Sequence, residues 1–181
     1  MTDGWADAVA VATALEQHFE GCHLTSYRLQ VSPGVYEGWA TIGWGRAIPL
    51  AKHPMTITQA QADLYLKEDT QHKLDRLKAE IPIEVLAKLS PDALGAIISF
   101  RYNVLDSTWL SPRCMTRQLL KQGKIYDFAD HLKQWNKGEG NHVMPGLQRR
   151  RKCERFLLKG HTLAELKRQD FFMHDYLTDN L

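Results

Sequence analysis

The chain has 181 residues, 44% of them apolar, enough for one domain with a real core or two lobes sharing one chain. Its 23 basic and 21 acidic residues leave a formal net charge of +2, which by itself points neither toward nucleic acid nor away from it. Three cysteines, Cys22, Cys114 and Cys153, are an odd number without motif spacing, which argues against a disulfide framework and for reduced thiols made in a cytosol.

The first element is a helix over residues 5–19. Trp5, Val9, Ala12, Leu15 and Phe19 recur near helical spacing, and Thr2 or Asp3 can cap its start. Asp7, Glu16 and Gln17 interrupt the apolar positions, and no basic segment comes before them. The segment therefore reads as neither a signal peptide nor a membrane span. Glu20 follows at the helix end. Helical period is then lost: Ser32-Pro33-Gly34 and Glu37-Gly38 signal turns, while Val35, Tyr36, Trp39, Thr41, Ile42 and Trp44 favour strand. This predicts a small antiparallel ribbon of two or three strands.

Thr58 with Gln61 forms a capping-box pattern that opens a long helix through Ala79, and Pro82 ends it. Shorter helices are predicted over 83–89, 92–103, 112–122, 125–135 and 145–158, with glycines between or after them. A last helix is expected within 162–177, with Leu163, Leu166, Phe171 and Tyr176 inward. The helix from Thr58 can join a ribbon-bearing lobe to a helical lobe, and the space between two such lobes is a place for ligand. No internal repeat or low-complexity run is visible.

Several separated stretches together resemble the phage-type lysozyme and endolysin family, glycoside hydrolase family 24. The first is Glu20-Gly21 with Leu24 and Tyr27, then Thr41-Ile42-Gly43-Trp44-Gly45. The second is Ile57-Thr58-Gln59 with Ala60 and Ala62. The third is Trp135-Asn136 with Gly138, Gly140, Pro145-Gly146-Leu147, Arg149-Arg150-Arg151 and Glu154. Between them, the run from Ile97 through Asn103 to Val104 fits the family's core helix. The pieces keep the family's order over about residues 10–160, so together they are specific although each alone is weak.

The resemblance implies an α+β, mostly α fold: two lobes, a small antiparallel ribbon in the N-terminal one (about 20–60), a linking helix, and a helical lobe (about 80–160 plus the N-terminal helix). Residues 1–160 would form the catalytic domain and 161–181 a helical extension. It implies cleavage of the β-1,4 bond between N-acetylmuramic acid and N-acetylglucosamine in peptidoglycan. Such chemistry needs a proton for the leaving oxygen, support for an oxocarbenium-like centre, and a delivered water. Glu20 matches the acid, which must hold a proton and so favours a poorly hydrated position. Thr41 matches the residue that positions the water. The plainer readings are a solvated helix-end acid and a β-branched strand residue.

Two departures stand out. Where the family carries an aspartate or cysteine on the ribbon, the candidate positions here are Leu29 and Val35. Glu37 is the one acid between Glu20 and Asp63; if a single strand runs through Glu37 and Thr41, both side chains share a face and Glu37 can serve as base. It can equally be a turn residue. Arg46 stands where the family often has histidine, with Asp63, Glu68 or Asp69 as its partner, or solvent. Arg149 is expected to reach Glu20, with Arg150 as the rival. Tyr27, Trp44 and Asn103 complete the expected substrate-binding set, although Trp44 can be core and Asn103 a helix cap. Trp135 is expected in the core.

No metal ligand spacing is present, and no metal or cofactor is expected. The resemblance points to an endolysin, a monomer made in the host cytoplasm. A holin would have to open the membrane before it reached the periplasm and cell wall. Peptidoglycan is the expected partner, with neither nucleic acid nor stable membrane insertion. Two rivals remain open: a lytic transglycosylase of the same fold using one glutamate, and an inactive peptidoglycan-binding module.

Overall fold

The computed structural model describes residues 3–169. Thr2, Phe171 and Tyr176, named above, lie outside them. Helix α1 (Asp3–Phe19) buries Ala8, Val9, Val11, Ala12 and Leu15. It lies along α4 (Pro91–Asn103), whose residues from Ala93 to Arg101 are all buried. A Cβ on Gly95 would stand 2.5 Å from Val11 Cγ1 and 2.9 Å from the Ala8 carbonyl oxygen. Glycine is what lets these two helices approach so closely. Ser90 caps α4 by accepting from the Ala93 N–H, and Pro91 occupies its first turn.

After α1 the chain forms five short strands: β1 (His23–Tyr27), β2 (Gln30–Ser32), β3 (Val35–Tyr36), β4 (Trp39–Gly43) and β5 (Arg46–Pro49). Strands β1, β4 and β5 make an antiparallel sheet with β4 in the middle, and β2 with β3 make a separate hairpin. The predicted ribbon of two or three strands is thus two sheets. The hairpin stands apart because every residue in its strands is exposed, so no core face ties it to the main sheet. In the main sheet Tyr27 lies opposite Thr41, and Thr41 opposite Ala47. Glu37 lies outside β4, in the link from β3, so no unbroken strand carries both Glu37 and Thr41.

The Thr41-to-Gly45 motif is the end of β4 and the turn into β5. Gly43 has φ +63° and Gly45 φ +104°, a left-handed backbone that favours glycine. Gly43 also faces α2 (Gln59–Glu80) closely: an added Cβ would meet Ala62 Cβ at 3.5 Å. Both halves of the predicted capping box form, Thr58 taking the Gln61 N–H and Gln61 the Thr58 N–H. At 1.5 Å per residue α2 spans about 33 Å. Its Ala62 belongs to the small core of the sheet, with Ala40, Ile42, Ile48 and Ile57. Its Leu74 and Leu77 belong to the main core. One helix therefore serves both lobes.

The rest is helical: α3 (Ile83–Leu86), α5 (Asp106–Trp109), α6 (Met115–Lys121), α7 (Ile125–His131), α8 (Pro145–Leu158) and α9 (Leu163–Arg168). Phe100 centres this lobe, edge-on to the rings of Trp109, Phe128 and Trp135. Trp135 packs here as expected and donates its ring N–H to Thr116 Oγ1 at 2.8 Å. Leu166 of α9 is fully buried in the same core, and the Leu163 N–H meets Asp92 at 2.7 Å. The described part of the C-terminal segment is therefore docked onto the helical lobe. Among the described residues no helix is long and apolar enough to cross a membrane.

Candidate active site

Glu20 follows the last residue of α1 and continues its hydrogen bonding, the Glu20 N–H reaching the Glu16 carbonyl at 2.8 Å. Its side chain is 28% exposed, so one end meets solvent while the other is held by protein. It lines a hollow of about 290 Å³ together with His18, Asn103, Met144, Leu147 and Arg149. The end of α1, the end of α4 and the start of α8 meet there.

The arginine that holds Glu20 is Arg150. Its Nη1 donates to Glu20 Oε1, whereas Arg149, expected to make this contact, lines the hollow beside it. The reason lies in helix spacing. Glu154 is fully buried, and positions three and four residues before it on α8 share its face. Arg150 Nε meets Glu154 Oε1 at 3.3 Å, and Arg151 Nε meets Oε2 at 2.9 Å. Ser99 Oγ donates to Glu154 at 2.9 Å, and Arg150 Nη2 donates to the Ser99 carbonyl at 3.1 Å. Arg151 also donates to Asn103 Oδ1 at 3.1 Å, which fixes that side chain at the rim.

Burial acts to lower the Arg150 guanidinium, but Glu154 and Glu20 hold it above its ordinary value. Burial outweighs Glu154 at Arg151 and brings it down to about 10. Glu154 is pushed upward by burial, against the pull of Arg151, Arg150 and Ser99. Two arginines on one buried carboxylate make a rigid floor, because removing any member leaves charge without a partner.

Tyr27, Thr41 and Glu37 of the sheet region do not line this hollow; Tyr27 is the one that feels the charge of Glu20. Tyr27 is partly buried, and its hydroxyl is raised first by burial and then by the charges of Glu20 and Glu37. One phenol thus stands within the fields of both acids. Thr41, opposite Tyr27, is 8% exposed. Glu37 is fixed by its backbone: its N–H meets the Leu29 carbonyl at 3.0 Å, and its carbonyl accepts from Arg28 Nη2 at 2.8 Å. Its Oε2 is buried without a hydrogen-bond partner among the described residues.

Trp44 is placed differently from the rest of the expected set. Its ring packs on the small core and its Nε1–H donates to Asp63 at 2.8 Å. That bond, with one from Gln59, holds the Asp63 carboxyl below the usual carboxylate range. Arg46 finds two of its three possible partners, Asp69 at 2.8 and 2.9 Å and Glu68 at 2.9 Å.

Sequence reasoning gave no role to Glu16, which is buried one turn before Glu20. The signal was available in the spacing of Ala8, Ala12 and Glu16, which puts the acid on the buried stripe. Burial pushes the Glu16 carboxyl up to about 8, against its bond with Thr70 and the charge of Arg150.

The phage lysozyme family model matches residues 17–154. None of the curated protein sequences matches the chain. Among solved structures, the muramidase domain of SpmX from Asticaccaulis excentricus is similar, at 21% identity and a TM-score of 0.65, over 81% of this chain and 93% of that one. An endolysin from Escherichia coli O157:H7 phage FAHEc1 matches at 24% identity and 0.61, over 82% and 90% of the two chains. P22 lysozyme matches at 24% and 0.62, over 82% and 94%. At these identities the structures establish the shared fold.

Proposed function

This chain belongs to the phage lysozyme family, and from that premise we propose that it is a muramidase that hydrolyses the β-1,4 bond between N-acetylmuramic acid and N-acetylglucosamine in peptidoglycan. The observation that carries the reading is the setting of Glu20. It follows α1 at the wall of a hollow, is oriented by Arg150 of another helix, and its charge reaches Tyr27 of the sheet.

In this reading Glu20 gives its proton to the leaving glycosidic oxygen as the C1–O bond breaks. Arg150 fixes which carboxylate oxygen is tied down and which is free to act. A water held by the Thr41 hydroxyl attacks C1 and passes its proton to Glu37. Tyr27, Asn103 and Arg149 contact the glycan, Asn103 from a position set by Arg151. The enzyme works as an endolysin: it stays in the host cytoplasm until a holin opens the membrane, then acts on the wall as a monomer.

A zymogram on embedded cell walls tests the acid. Wild type clears the gel, and Glu20→Gln loses about 1,000-fold of the lysis rate. A wild type that binds walls without clearing them is a binding module, and full lysis by Glu20→Gln removes the proposed acid. Mass spectrometry of the fragments tests the water: hydrolysed ends carry one water more than the anhydro ends a transglycosylase leaves.

A further inference from the structure

Glu16 is fully buried between α1 and α2. Its Oε2 lies 2.5 Å from Thr70 Oγ1, and its Oε1 has no hydrogen-bond partner among the described residues. Thr70 Oγ1 also lies 2.8 Å from the Leu66 carbonyl oxygen. A threonine hydroxyl owns one proton, and a carbonyl can only accept. When the hydroxyl serves Leu66, its contact with Glu16 needs a proton from the carboxyl. A protonated Glu16 satisfies both contacts. An ionised one takes the hydroxyl proton away from Leu66 and leaves Oε1 as a bare anionic oxygen in the interior.

The surrounding charges pull both ways: Arg150 favours the ionised carboxyl, and Glu20 and Asp69 oppose it. Glu16 faces Glu20 on its own helix, Asp69 on α2, Tyr102 on α4 and Arg150 on α8. Asp69 is already bound by Arg46. Arg150 and Arg151 share the Glu154 carboxylate, and Arg150 reaches on to Glu20. A charged Glu16 would have no cation of its own and would compete with Glu20 for Arg150.

We infer that Glu16 is a positioning residue, kept uncharged beneath Glu20 so that Arg150 stays with the proton donor. Its ionisation at alkaline pH draws Arg150 toward Glu16 and misplaces the acid. The inference rests on Glu20 being that acid. The pH range follows from the raised carboxyl: folded, it holds its proton up to about 8; unfolded, it releases it near 4.5. Its contribution to stability is therefore full below the unfolded value, declines as pH rises between the two, and is lost as pH passes the folded one.

Three measurements on the full chain test this. The Glu16 side-chain carboxyl carbon of the wild type, followed by NMR, titrates near 8; titration near 4.5 overturns the inference without any variant. Thermal midpoints of wild type and Glu16→Gln, compared from pH 5 to 8, diverge because glutamine cannot ionise; parallel curves overturn it. At pH 9 wild-type lysis falls about tenfold below that of Glu16→Gln, the ratio expected one unit above the titration. Superimposable lysis profiles beside divergent melting curves would make Glu16 a buried structural acid and overturn the positioning role. The Glu20→Gln zymogram judges the underlying reading separately, and neither the titration nor the melting comparison depends on its result.

Discussion

The two sides of the site are built by opposite means. On the helical side, Glu20 is held by Arg150, which is itself held by Glu154 and Ser99, and these three are buried on α8 and α4. On the sheet side, Glu37 is anchored by its backbone, and the hairpin beside it exposes every residue of its strands. A buried ionic network tolerates no partial change, since each partner removed strands another. A solvated hairpin tolerates almost any. The fold thus fixes Glu20, the proposed proton donor, rigidly and leaves the hairpin free to vary.

That contrast can be broken at three points. The largest effect is expected from Arg150→Met, which takes one partner from Glu154 and the orienting partner from Glu20. It should cost about 3–5 kcal/mol of stability in urea unfolding and most of the lysis with it. A cost below about 1 kcal/mol, the range of a surface ion pair, would show the helical side to be no more constrained than a surface. Next is Glu37→Gln. Lysis should fall roughly 100-fold with little change in stability, because the anchoring contacts use the backbone. Near-wild-type lysis would leave the sheet side as a wall without a base. The smallest effect belongs to the hairpin. Tyr36→Ser removes a half-exposed ring lying under Arg28 and should cost about 0.5 kcal/mol or less. A larger loss would mean the hairpin is part of the folded core after all.

The legibility of the sequence follows the same division. Where one physical constraint decides a position, the residues declare it. The loss of helical period after Phe19 places Glu20 at a helix end, and Thr58 with Gln61 marks the start of α2. Where a position depends on a distant partner, the residues do not. Three consecutive arginines look alike along α8 until Glu154 is known to be buried, and only then do its third and fourth predecessors separate from Arg149. Glu16 reads as a break in an apolar run because its meaning depends on Thr70, 54 residues away. The split of the ribbon into sheet and hairpin was hidden because strand-forming side chains mark strands without naming their partners.

The contact of Gly95 with Val11 has a consequence for how the chain comes to be folded. Helix α1, which leads into Glu20, is made before its packing partner α4, which does not begin until Pro91. The sheet and its small core use nearer neighbours, from Ala40 to Ala62, and can close while α1 is still waiting. On a ribosome, assembly order would run from the middle outward, since distant pairings carry the greater loop-closure cost. The carboxyl of Glu20, the proposed acid, would then reach its final place only when α8 brings Arg150 to it, long after α1 itself has been made.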